Sequence, residues 1–129
     1  QAFVAERNTL ASFYDDAFND LPVTPLTQCP DNLSSYHLYV ILLDEELADH
    51  KVAIFQFMRN SGYGVNVHYI PVHSQPYYQE LGHRVGDYPN AESYYARTLT
   101  LPLFGSMSDE EQDRVVEALY ECLEMRKAA

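Results

Sequence analysis

Seventeen residues in the middle of this chain set the tightest limits on its fold: Gly62-Tyr63-Gly64-Val65-Asn66-Val67-His68-Tyr69-Ile70-Pro71-Val72-His73-Ser74-Gln75-Pro76-Tyr77-Tyr78. The alternation from Val65 predicts a strand, with Val65, Val67 and Tyr69 on one face and Asn66, His68 and Ile70 on the other. Pro71 stops it, because proline donates nothing to a ladder. Two imidazoles, an amide and several phenols gather where the strand gives out, and strand ends and the loops after them are where binding groups are usually presented.

The flanking segments predict what this run packs against. Over residues 2–19, Leu10, Tyr14, Ala17 and Leu21 recur at helical steps, with Phe3, Phe13 and Phe18 widening the stripe. Pro22 and Pro25 open a loop that continues through Ser35. Tyr36 to Leu43 reads as a strand, and residues 47–60 as a helix carrying Val52, Phe55 and Met58 or Arg59 along one side. Gly62 closes that helix. Residues 76–81 suit one or two helical turns, 90–97 a helix and 99–101 a short strand. Ser108-Asp109-Glu110-Glu111 is a capping box that opens the last helix, whose acidic first turn and final Arg126 and Lys127 oppose its dipole. Val115, Leu119, Cys122 and Met125 or Arg126 face the core. This order predicts a single α+β domain over 1–129: a small, mainly antiparallel sheet with helices largely on one face.

Charge and cysteine content remove several function classes. A net charge of -11 repels phosphate backbones and anionic bilayers, and the basic residues form no patch, so nucleic acid and membrane partners are not expected. The longest apolar stretch, Leu38 to Leu43, is far too short to span a bilayer. Two widely separated cysteines, Cys29 and Cys122, suit a reducing, cytoplasmic setting and no zinc pattern. His68 and His73 lie roughly 16 Å apart along an extended chain, too far to share an ion, so no metal is expected. Gly62-x-Gly64 precedes a strand and is not a dinucleotide fingerprint. No nucleophile elbow is present, and neither cysteine has a histidine close in sequence. Eleven tyrosines and no tryptophan point to half-buried surfaces, at a pocket or an interface.

Six segments in register resemble the C-terminal small domain of the DegT/DnrJ/EryC1/StrS family. They are Arg7 to Tyr14, His37 to Ile41, Val67 to Tyr78, Tyr88 to Glu92, Leu99 to Phe104 and Met107 to Gln112. The resemblance implies a pyridoxal-phosphate (PLP) aminotransferase that transfers an amino group, from glutamate in the family, to a nucleotide-linked 4-ketosugar for cell-surface polysaccharide. Within the family the chain is most similar to enzymes that aminate a UDP-linked 4-keto-6-deoxy sugar on the way to pseudaminic acid, and to spore-coat polysaccharide enzymes. It also implies that residues 1–21 lead out of a large PLP-binding domain, that 22–129 are the small-domain body, and that the intact enzyme is a homodimer. The Schiff-base lysine of the family has no counterpart here, since Lys51 and Lys127 are the only lysines. The chain alone is therefore expected to be an inactive fragment with no catalytic or cofactor-binding residue. His68, Tyr69 and His73 are expected to contact the nucleotide-sugar substrate. The competing expectation is a non-catalytic module that binds a sugar or a protein.

Overall fold

The computed structural model describes residues 2–127, and within them the α+β architecture is as the sequence predicts. Helix α1 (Ala2–Ala17) leads to a short strand β1 (Val23–Pro25), then to β2 (Tyr39–Leu43). A 3-10 segment, Glu45–His50, runs into α2 (Lys51–Asn60). A second 3-10 turn, Val72–Ser74, precedes α3 (Pro76–Glu80) and α4 (Pro89–Arg97), which passes directly into β3 (Thr98–Leu101). The chain closes on α5 (Asp109–Lys127). The strands form one antiparallel sheet in the order β1-β2-β3.

The register explains the two faces of that sheet. Tyr39 lies opposite Leu101 and Ile41 opposite Leu99, so with Leu43 they share one face, and all five are buried in the main core. Val40 pairs with Thr100 and Leu42 with Thr98, placing these residues on the second face. Helix α5 contributes Val115, Ala118, Leu119, Cys122 and Leu123 to the core and packs on α1 and α2. Of the two residues left open for its last turn, Arg126 is half-buried while Met125 faces solvent.

Helix α1 belongs to that core. Tyr14 is completely buried, stacks on Phe18 at 5.4 Å and donates its hydroxyl hydrogen bond to the Pro102 carbonyl at 2.9 Å. Tyr39 donates to Asp15 at 2.7 Å. Burial pushes both phenols above their ordinary titration range, and at Tyr39 the Asp15 carboxylate adds to the effect, so both stay protonated donors. Gln112, also buried, donates from Nε2 to the Leu10 carbonyl at 2.6 Å and ties α5 to α1.

Four local expectations are corrected. Val23–Pro25 is an edge strand rather than loop, and Pro25 is tolerated there because an edge leaves backbone positions free of ladder bonds. Strand β2 begins at Tyr39, not Tyr36, because Tyr36 adopts φ +44 and turns the chain. In α2 the buried face is Ile54 and Met58, continuing from Leu47, while Val52 is exposed. The 3-10 turns before it advance three residues per turn and shift the phase of the apolar stripe. Phe3 and Phe13 face solvent, and only Phe18 of the three phenylalanines joins the core. The capping box forms as expected: Ser108 N–H donates to Glu111 Oε2 at 2.9 Å and Glu111 N–H to Ser108 Oγ at 3.2 Å.

Two substitutions on α5 test this packing by urea denaturation. Leu119→Ala, at a fully buried position, is expected to lower stability by about 2–5 kcal/mol. Ser108→Ala is expected to cost about 1 kcal/mol through the lost cap. Equal effects of the two would contradict the assignment of Leu119 to the core.

Candidate functional site

One pair of backbone hydrogen bonds joins the polar run to the sheet, and this is where the strand prediction for residues 65–70 fails. Asn66 N–H donates to the Thr100 carbonyl at 3.0 Å and Thr100 N–H to the Asn66 carbonyl at 2.8 Å, an isolated antiparallel bridge beside β3. Beyond it no ladder forms. Val65 is buried, Val67 half-buried and Tyr69 71% exposed, so the predicted alternation fades along the segment. Ile70 is exposed, Pro71 lacks a donor, and the chain leaves the sheet edge with few groups that could continue the pairing.

His68 sits on the second face of the sheet. Its Nδ1 is hydrogen-bonded to Thr100 Oγ1 at 2.8 Å, and the Tyr94 hydroxyl of α4 donates to its carbonyl at 3.3 Å. Thr100 is itself buried, so the ring is fixed from beneath. The Tyr69 ring stands edge-on to the imidazole with centroids 4.5 Å apart, and the peptide joining the two residues is cis.

His73 occupies a different environment. It is buried within the 3-10 turn, and its Nε2 lies 2.7 Å from Glu92 Oε1, on the first turn of α4. The same carboxylate oxygen accepts the Gly86 N–H at 2.7 Å. Gly86 has φ +100, a conformation that side chains other than glycine's rarely adopt. These contacts, the Gly86 bond first and the His73 bond second, hold the Glu92 carboxyl below its ordinary range, against the opposing effect of burial. An ionised carboxylate only accepts, so His73 Nε2 carries the proton. The Tyr88 ring lies 4.7 Å from the His73 ring, and the Tyr88 hydroxyl approaches His83 Nδ1 at 3.4 Å.

Around this cluster opens a cleft of about 380 Å³ lined by Val72, His73, Tyr78, His83, Tyr88 and Ala91. Tyr69, Ile70, Tyr77, Leu81 and Val85, from the same part of the sequence, are exposed. A second cleft of similar size, about 370 Å³, lies between the end of α2 and α5 and contains no histidine. Of the three residues singled out from sequence, His73 lines the first cleft, while His68 and Tyr69 lie upstream on the same segment. Sequence reasoning did not single out Thr100, Tyr94 or Glu92 individually. Glu92 falls in the Tyr88-Pro89-Asn90-Ala91-Glu92 stretch, but nothing in that stretch announces a partner nineteen residues away.

Among the described residues no group of three or more His, Cys, Asp or Glu side chains could hold a metal ion, and no helix is long and apolar enough to cross a membrane. Lys51 is the only lysine whose side chain is described. Its amine donates to the Tyr95 carbonyl and lies 4.0 Å from the centre of the Tyr95 ring. Burial lowers the pKa of that amine, but it is committed within the fold.

Known proteins share this fold. A family model described as the DegT/DnrJ/EryC1/StrS aminotransferase family matches residues 1–120. The spore coat polysaccharide biosynthesis protein SpsC of Bacillus subtilis (strain 168) is 42% identical over 118 residues, which are 88% of this chain and 30% of SpsC. Helicobacter pylori PseC, an aminotransferase involved in the biosynthesis of pseudoaminic acid, superposes with a TM-score of 0.87 at 28% identity, over 95% of this chain and 33% of PseC. The PLP form of Spr1654 from Streptococcus pneumoniae, a putative sugar aminotransferase, gives a TM-score of 0.88 at 29% identity, over 95% of this chain and 32% of that one. The chain thus spans about a third of the length of the proteins it matches.

The depressed Glu92 carboxyl has a definite sign in stability. A group whose folded pKa lies below its unfolded value stabilises fully above the ordinary value of 4.5 and loses that contribution as pH falls through the folded one. Urea midpoints measured from pH 7 downward are expected to fall more steeply below pH 4.5 in the wild type than in Glu92→Gln. Parallel curves would show that the contacts at Glu92 carry no linkage.

Proposed function

The chain belongs to the DegT/DnrJ/EryC1/StrS aminotransferase family, and we propose that it supplies one wall of the substrate pocket of a PLP-dependent sugar aminotransferase. The match over residues 1–120 carries this reading. The acceptor in this proposal is a nucleotide-linked 4-ketosugar destined for a cell-surface polysaccharide, with glutamate as the amino donor. SpsC and PseC, whose names tie them to spore-coat polysaccharide and to pseudoaminic acid, support that class of substrate.

Within this reading the chain contributes positioning. His68 has one ring nitrogen fixed by Thr100, which orients the other for a sugar hydroxyl or a phosphate oxygen. Exposed Tyr69 adds a phenol and an aromatic face beside it. His73 closes the wall where the cleft begins, with Nε2 committed to Glu92. Holding a ketone in an attack geometry can contribute several kcal/mol to the rate, up to about 7–11 kcal/mol in the best intramolecular cases. The cofactor amine and the lysine that carries PLP would come from outside these 129 residues, and the intact enzyme would work as a homodimer.

Two measurements test the proposal. In the enzyme joining this chain to its PLP-binding domain, His68→Ala is expected to lower kcat/KM for the nucleotide sugar by roughly tenfold or more and to leave the PLP absorbance intact. Turnover equal to wild type would remove His68 from the pocket. The 129-residue chain incubated with PLP and borohydride is expected to yield no stoichiometric reduced adduct; one adduct per chain would assign the Schiff-base lysine to this chain instead.

A further inference from the structure

Resting on the reading of His68, Tyr69 and His73 as a substrate wall, we propose that Glu92 is a positioning residue, a clasp that fixes the wall by gripping the His73 ring and the Gly86 amide with one carboxylate oxygen. Both contacts are 2.7 Å long. Together they join three pieces of chain: the Val72–Ser74 turn, the loop around Gly86 beyond α3, and the first turn of α4. The buried His73 ring and the left-handed Gly86 backbone leave little freedom for alternative arrangements.

The need for a clasp follows from how the wall is suspended. Upstream it is anchored to β3 and α4 through the Asn66 bridge, the Thr100 hydroxyl and the Tyr94 phenol. Tyr69 and Ile70 then make no hydrogen bond among the described residues, and both side chains are exposed. The downstream anchor is His73, and the long-range hydrogen bond of its ring is to Glu92. A short span carrying the most exposed phenol of the wall is therefore fixed at both ends, and its downstream end is held by Glu92. Glu92 acts through His73 and Gly86, both of which are held by its Oε1.

Losing the clasp should loosen the span and weaken substrate binding, with little effect on the chemical step. Amide hydrogen exchange on the 129-residue chain reads the first effect. Steady-state kinetics on the chain joined to its PLP-binding domain read the second. In Glu92→Ala, exchange at Ser74, Gln75 and Gly86, whose amides donate hydrogen bonds, is expected to rise about tenfold or more, with α5 unchanged. KM for the nucleotide sugar is expected to rise by a similar factor, with a much smaller change in kcat and no change in PLP loading. Glu92→Gln, whose amide oxygen can still accept both N–H groups, should recover most of both losses. If Glu92→Ala also lowers protection in α5, Glu92→Met, which keeps the volume but supplies no oxygen acceptor, replaces it. Wild-type exchange in these variants would overturn the clasp, and a loosened span with unchanged KM would overturn its positioning role. A wild-type joined enzyme that fails to transaminate would count against the proposed function, while the exchange result would still decide the clasp.

Discussion

The pair of backbone hydrogen bonds between Asn66 and Thr100 is the attachment on which the candidate site depends. β3 is four residues long and fully buried, with one edge occupied by β2. Its other edge receives one residue, Asn66, and from there the chain must leave the sheet. Everything that follows, the His68 imidazole, the exposed Tyr69, the His73 turn and the aromatic cleft, takes its position from that contact and from the side chains that reinforce it. A longer ladder would have fixed the segment more firmly, but would have turned alternate side chains of the wall into the protein.

The sheet divides the labour of the domain. One face, with Tyr39, Ile41, Leu43, Leu99 and Leu101, is sealed by α1, α2 and α5 and provides the stability. The other carries Val40, Leu42, Thr98 and Thr100, and Thr100 offers a hydroxyl to His68. A threonine suits this place: its methyl group fills buried volume, while its oxygen gives the imidazole a partner in a setting of low dielectric where an unpaired polar atom is costly. Lys51, bonded to the Tyr95 carbonyl, ties α4 to α2, so the helix that supports the wall is itself fixed to the core.

Much of the frame was legible because it is local. The capping box at Ser108 and Glu111, the heptad-like burial of Val115, Leu119 and Cys122, and the helix ending near Gly62 all arise from residues a few positions apart. What could not be read depended on partners far away in sequence. Val23–Pro25 looked like loop because two prolines flank it, and only the presence of β2 makes it an edge strand. Residues 65–70 looked like a strand because their alternation is genuine, yet strand formation needs a neighbour, and β3 supplies one for a single residue. Likewise His68 and His73 stood out as imidazoles, whereas Thr100, Tyr94 and Glu92 gain meaning only once α4 and β3 lie beneath them. The resemblance located the segment but could not say what holds it.

All of those supports fall within one uninterrupted stretch. Asn66, His68 and His73 are met by Glu92, Tyr94 and Thr100, with Gly86 between, so wall and foundation are encoded together and none of the pairs reaches back to α1 or forward to α5. The stretch from Gly62 to Pro102 thus carries the candidate site together with its supports, while Leu99 and Leu101 seat it in the core and the Tyr14 hydroxyl holds it at Pro102. A change on one side of any of these pairs therefore meets its partner within the same stretch of chain.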